Sequence, residues 1–195
     1  PGTPCTVDIA RYSDVVKYNS VYCFSALYER ALLDGIVFDS ELHYGEDSLF
    51  FLTAFKKAGK YAYIDEPLYF YVDNINSATH KPYTMKRYDE IIMWERVNKM
   101  YEEFGDPVKT AIEQKTVTVY MHFYYSLLES GNATGEIHRN FRAAVTKRRR
   151  AVKNFMKDKN VSFWKGRAKM AAFLLPAGLF DFFIGARYPK GNQNF

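Results

Sequence analysis

Gly45-Glu46-Asp47-Ser48-Leu49-Phe50-Phe51-Leu52-Thr53-Ala54-Phe55-Lys56-Lys57-Ala58-Gly59 decides how the first half of the chain is read. Glu46 and Asp47 stand where the first turn of a helix leaves N–H groups unpaired. Lys56 and Lys57 stand where the last turn leaves carbonyls unpaired, and Gly59 lies just past the end. These placements match the helix dipole and the glycine preference at helix C-termini. The apolar residues between are nearly continuous, so the predicted helix is buried on most sides.

Upstream of it, Glu29-Arg30-Ala31-Leu32-Leu33 predicts a short helix stopped by Asp34-Gly35. Residues 19–27 read as extended, 6–16 as a short helix or loop, and Ile36-Val37-Phe38 as a brief strand. Downstream, Tyr61-Ala62-Tyr63-Ile64 and Leu68-Tyr69-Phe70-Tyr71 read as strands around the Asp65-Glu66-Pro67 turn. From Thr84 the pattern turns helical. Segments are predicted over 84–104 (closed by Gly105), from Pro107 to 130 (closed by Gly131), over 134–158 and over 163–175. The aromatic run Tyr120, Phe123, Tyr124 and Tyr125 reads as an inter-helix core. The expected fold class is α+β, mostly helical.

The 195 residues are 48% hydrophobic and 25% charged, near globular averages, which excludes a disordered tail or a collagen-like fibre. Sixteen Tyr and sixteen Phe supply ample core material. The net charge of +5 is uneven. Residues 1–138 carry 13 Lys+Arg and 20 Asp+Glu, a balance of −7, whereas residues 139–195 carry 14 and 2, a balance of +12. Such asymmetry suggests an anionic partner for the basic part. Cys5 and Cys23 form neither a disulfide framework nor a metal motif, which fits a reducing compartment. No signal peptide is read, and a chain opening Pro1-Gly2-Thr3-Pro4 without Met reads as a fragment or processed form. The apolar stretch 170–184 is broken by Pro176 and Asp181 and falls short of the roughly 20 residues of a spanning helix.

Glu46-Asp47 at a helix N-terminus is the sharpest chemical feature. Backbone N–H groups hold a carboxylate there, a suitable state for a general base taking a proton from a hydroxyl. When such a pair stands alone, ordinary helix capping is the better explanation by several to one.

Its surroundings sharpen the reading. Ser25-Ala26-Leu27-Tyr28-Glu29-Arg30-Ala31-Leu32-Leu33, Phe38, Gly45-Glu46-Asp47, Phe50, Ala58, Tyr63-Ile64, Pro67-Leu68-Tyr69-Phe70-Tyr71 and Asn76-Ser77-Ala78-Thr79 follow in order. Over about residues 18–80 this string resembles the second half of a family 2 glycosyltransferase catalytic domain. The resemblance implies the C-terminal half of a GT-A-like α/β domain over residues 1–80, followed by a helical C-terminal region over 81–195. It implies an inverting hexosyltransferase acting in polysaccharide or glycolipid assembly. The donor would be a nucleotide-diphospho-sugar and the acceptor a sugar or lipid-linked hydroxyl. By the same resemblance Asp47 is the base, Glu46 positions the acceptor or its loop, and Tyr28 and Ser77 bind substrate.

A divalent cation, Mn or Mg, would serve the complete enzyme through an Asp-x-Asp motif. This chain has no such motif, so no cation is expected bound to it. The family's nucleotide-binding half lies upstream of the matched region, and the chain alone is expected to be inactive. Phe24 and Ala26 stand where the family often has Trp and Lys, and Val72 where a basic residue often follows. His80 is the candidate metal contact by resemblance, and a surface-loop histidine by its own setting. His122 reads as a hydrogen-bonded packing residue; His43 and His138 read as solvent-exposed.

Lys147-Arg148-Arg149-Arg150 follows Arg142 and precedes Lys153, Lys157, Lys159, Trp164, Lys165, Arg167 and Lys169. Bases beside Trp and an apolar stretch suit a segment lying on an anionic membrane, with Arg148, Arg149, Arg150 and Trp164 as contacts. A solvated helical face explains the same run. Nucleic acid ranks last, since no nucleic-acid-binding motif accompanies it. The expected location is cytoplasmic, peripheral on the inner face of the plasma membrane. The alternative to an enzyme is a helical module docking to an anionic membrane or nucleic acid.

Overall fold

A computed structural model describes residues 5–8, 22–58, 60–63, 68–72, 74, 77, 81, 83–157 and 164–188. The chain divides into two compact units, Pro1–Lys81 with Ile92–Ile112, and Pro82–Ile91 with Glu113–Phe195.

In the first unit, strands β1 (Cys5–Asp8) and β2 (Lys60–Tyr63) pair antiparallel, with Cys5 opposite Tyr63 and Asp8 opposite Lys60. Single 3₁₀ turns occupy Cys23–Ser25 and Arg30–Leu33. Helix α1 (Glu46–Ala58) has Glu46 and Asp47 in its first turn and Lys56 and Lys57 in its last. It buries Ser48, Phe50, Phe51, Leu52, Ala54 and Phe55, more than one face of a helix. Helix α2 (Asp89–Met100) enters this unit at Ile92 and contributes the buried Met93, Trp94 and Val97. The Tyr101 hydroxyl, just past α2, donates to the Leu52 carbonyl at 2.8 Å. Lys56 Nζ donates to the Met100 carbonyl at 2.7 Å and pairs with Glu103 at 2.7 Å. These bonds tie the end of α2 to the second half of α1. Arg96 bridges back to Asp39 and Glu41 in the loop before α1.

The second unit is built on the aromatic part of α3 (Val108–Glu129). Around it lie α4 (Gly135–Lys147), α5 (Arg149–Lys157), α6 (Trp164–Ala172) and α7 (Ala177–Arg187). Phe141 of α4 is the hub. Its ring stacks on Phe123 at 5.2 Å and on Tyr124 at 6.1 Å between centroids, and meets Tyr120 edge-on at 5.5 Å. Phe173 and Phe180 extend the cluster, 4.9 Å apart. Such ring pairs add to the area they bury by about 0.5–1.5 kcal/mol each. Helix α3 ends in a paired stop: Asn132 N–H reaches the Leu127 carbonyl and Gly131 N–H the Leu128 carbonyl, with Gly131 at φ 69°. The positive φ is why glycine stands there. Thr134 then caps α4, its hydroxyl accepting from Ile137 N–H.

Three expectations are corrected. The fold class is helical, not α+β, and no half of a GT-A-like α/β domain is formed among the described residues. Among the described residues the strands are β1 and β2, a ribbon of four residue pairs, and two strands alone do not make a sheet layer with a core of its own. Residues 36–38 and 68–71 have no regular secondary structure and join no ladder. Their β-branched and aromatic composition expresses a preference that takes hold only with a strand alongside. The helix expected over 134–158 is two helices, broken at Arg148, where φ is −98° and ψ 32°. The basic run contains no Gly or Pro to mark that break. A further helix, α7, fills part of the apolar stretch beyond Pro176 that the sequence left unassigned.

Candidate functional site

The head of α1 is set by Gly45. Its carbonyl accepts from Leu49 N–H at 2.9 Å, the first turn of the helix, and its φ is 88°. A Cβ at this position would lie 3.2 Å from Met93 Cε. Both the backbone angle and the approach of α2 therefore favour glycine. The turn delivers Glu46 and Asp47 half-buried at the helix N-terminus. Asp47 Oδ1 accepts from Ser48 N–H at 2.7 Å and from Ser48 Oγ at 3.4 Å.

Tyr28 and Cys23 lie within the electrostatic reach of this pair. The Tyr28 hydroxyl donates to the Cys23 carbonyl at 3.0 Å. Burial, with help from Cys23 and the Asp47 charge, pushes the Tyr28 hydroxyl up to about 12. Burial also raises the Cys23 thiol, and the Asp47 and Glu46 carboxylates raise it further. Phenol and thiol thus keep their protons at neutral pH, and the carboxylates are the acceptors of the group. Tyr28 meets Phe50 edge-on at 5.7 Å, and Phe38 stacks on the same Phe50 ring at 4.4 Å. Beside Cys23, Phe24 stacks between Tyr22 and Tyr69 at 5.1 and 4.8 Å. All three rings are more than a third exposed. Asp47 is thus a half-buried proton acceptor within electrostatic reach of Cys23, whose neighbour Phe24 lies in a solvent-exposed aromatic stack.

Tyr28 lies within electrostatic reach of Asp47, and Glu46 is the neighbour of Asp47 in the first turn of α1. Ser77 sits in a turn, its N–H donating to the Asn74 carbonyl at 2.8 Å. His80 lies outside the described residues. Among the described residues no three His, Cys, Asp or Glu side chains come together as a possible set of cation ligands. A groove lined by Lys56, Arg96, Lys99, Met100, Glu102 and Glu103 opens at the opposite end of α1 from Asp47.

Of the basic contacts expected from sequence, Arg148 is turned partly inward. Its guanidinium lies 5.4 Å from the Tyr120 ring centre and donates to the Ala144 carbonyl at 3.4 Å. Arg149 and Arg150 are exposed on α5, and Trp164 opens α6. Lys169 is engaged with Glu129 at 3.1 Å and lies over the Tyr125 ring at 4.8 Å. No helix among the described residues is long and apolar enough to cross a membrane.

Sequence reasoning missed two features. Cys23 was read only for disulfides and metals, although it lies five residues before Tyr28. His138 is buried rather than solvent-exposed, and joins Tyr124 Oη at 2.5 Å to Asp181 Oδ1 at 2.8 Å. The signal was its spacing: 138, 141 and 145 share one face of α4, and Phe141 and Val145 are core. His122 is exposed, with Nδ1 3.4 Å from Ser126 Oγ and its ring edge-on to Tyr83.

A 64-residue stretch of the chain is 41% identical to the uncharacterized glycosyltransferase EpsJ of Bacillus subtilis (strain 168). The match covers 32% of this chain and 19% of that protein's length. No protein-family model matches the chain. No solved structure matches it.

Proposed function

We propose that this chain is part of a glycosyltransferase of the family 2 kind, and that its first unit carries the acceptor side of the reaction. The observation behind this reading is the carboxylate pair at the head of α1, held beside Tyr28 and Cys23, in a chain whose partial relative is named a glycosyltransferase. In the proposed step the Asp47 carboxylate takes the proton from an acceptor hydroxyl. The hydroxyl oxygen forms its bond to the anomeric carbon as the bond from that carbon to the donor's phosphate oxygen breaks. The nucleoside diphosphate leaves with the electron pair, and the configuration at the anomeric carbon inverts. Glu46 and Tyr28 orient the acceptor, since a base and hydroxyl already placed together lower the orientation cost. The protein would act in polysaccharide or glycolipid assembly.

The test is Asp47→Asn in the complete polypeptide, assayed for sugar transfer from a panel of nucleotide-diphospho-sugars. Loss of a base should lower kcat by roughly 10²–10⁴-fold, with an unchanged circular dichroism spectrum. Full activity in the variant would remove Asp47 from the base role.

A further inference from the structure

Helix α7 has an unusual surface for an outer helix. Its sequence, Ala177-Gly178-Leu179-Phe180-Asp181-Phe182-Phe183-Ile184-Gly185-Ala186-Arg187, holds two charges in eleven residues. One side is spent on the second unit's core: Phe180 and Ile184 are 0% and 3% exposed. Arg142 lies over the Phe180 ring at 5.4 Å, and His138 holds Asp181 at 2.8 Å. These contacts fix the rotation of the helix. They leave Leu179, Phe182 and Phe183 outward, 50%, 68% and 54% exposed, on one i, i+3, i+4 stripe that Ala186 continues. The Phe182 and Phe183 rings touch, 5.8 Å apart, so the outward edge is a contiguous aromatic surface. An apolar stripe of this kind in water marks an interaction surface rather than a packing remnant.

Charge selects the occupant. Residues 139–195 carry 14 Lys+Arg against 2 Asp+Glu. Arg149, Arg150, Lys153 and Lys157 are all exposed on α5, which contains no acid. One of the two acids, Asp181, is engaged with His138, and Arg187 closes α7 beside the stripe. A second copy of so basic a surface would be repelled, whereas an anionic bilayer attracts it. Eleven residues of helix are too short to span a bilayer but suit a helix lying in the interface with aromatic side chains inserted.

We infer that α7 docks this chain onto an anionic lipid surface, inserting Leu179, Phe182 and Phe183 while the bases of residues 139–187 supply the attraction. The inference does not depend on the sugar-transfer reading. It is tested by floating the full chain with vesicles of phosphatidylcholine alone and of phosphatidylcholine with phosphatidylglycerol. Binding is expected with the anionic vesicles, weakening as salt rises. The Phe182→Ser/Phe183→Ser variant should keep its circular dichroism spectrum and urea midpoint, because both rings are outside the core. It should lose at least about tenfold in partition coefficient. Leu179→Ser should act in the same direction and stands in if the double variant misfolds. Absent flotation, equal binding to neutral vesicles, or unchanged binding of both variants would overturn the inference. So would a concentration-dependent dimer that the double variant abolishes, without vesicle binding.

Discussion

His138 Nε2 lies 2.8 Å from Asp181 Oδ1, while the other ring nitrogen lies 2.5 Å from the Tyr124 hydroxyl. One imidazole thus links α3, α4 and α7 through three polar groups in an otherwise aromatic core. Burial holds the Tyr124 hydroxyl well above the ordinary range for tyrosine, so it remains protonated. His138→Ala leaves that hydroxyl buried without its ring partner. The expected loss is about 1–3 kcal/mol in urea unfolding. Asp181→Asn keeps an oxygen for the ring and should cost less than half as much.

Gly45→Ala tests the turn that aims Asp47. The positive φ and the 3.2 Å approach to Met93 Cε both oppose a side chain. The expected cost is about 1–2 kcal/mol. Combining it with Met93→Ala should return the steric part and not the backbone part. A double-mutant cycle separates the two, and strict additivity would show that Met93 is not the obstacle.

Cys23 reports on the carboxylates beside it. Burial raises its thiol, and Asp47 and Glu46 raise it further by disfavouring the thiolate. Removing one negative charge lowers the thiol. Asp47→Asn should therefore move the pH midpoint of Cys23 alkylation downward, measured by mass spectrometry at the Cys23 peptide. An unchanged or raised midpoint would mean that Asp47 does not act on the thiol.

Phe141→Ala removes the hub of the second unit's core, a ring with four aromatic neighbours. The expected loss is about 3–5 kcal/mol. Exposed Phe182→Ala should cost well under 1 kcal/mol, and a comparable loss at both positions would contradict the burial pattern.

Local chemistry fixed by neighbouring residues was legible in the sequence. The acids, bases and flanking glycines of α1 announce a helix because they answer groups within a turn of themselves. The ends of α3 and the cap of α4 follow from Gly131 and Thr134 for the same reason. The Glu46-Asp47 pair could be placed at a helix head from spacing alone. What sequence could not carry was anything requiring a distant partner. Residues 36–38 and 68–71 have strand composition, yet a strand exists only when another lies beside it, and the tertiary structure supplies none to them among the described residues. The convergence of Cys23, Tyr28 and Asp47 depends on how the 3₁₀ turns fold back toward α1, and no local pattern encodes that. The basic run of 147–150 reads as one surface, but the break at Arg148 turns one guanidinium onto Tyr120 and leaves Arg149 and Arg150 outside. The burial of His138, and with it the rotation that points Phe182 and Phe183 outward, was decided by contacts 14 and 43 residues away along the chain. Short-range hydrogen bonding and charge wrote the elements; long-range packing chose which faces they show.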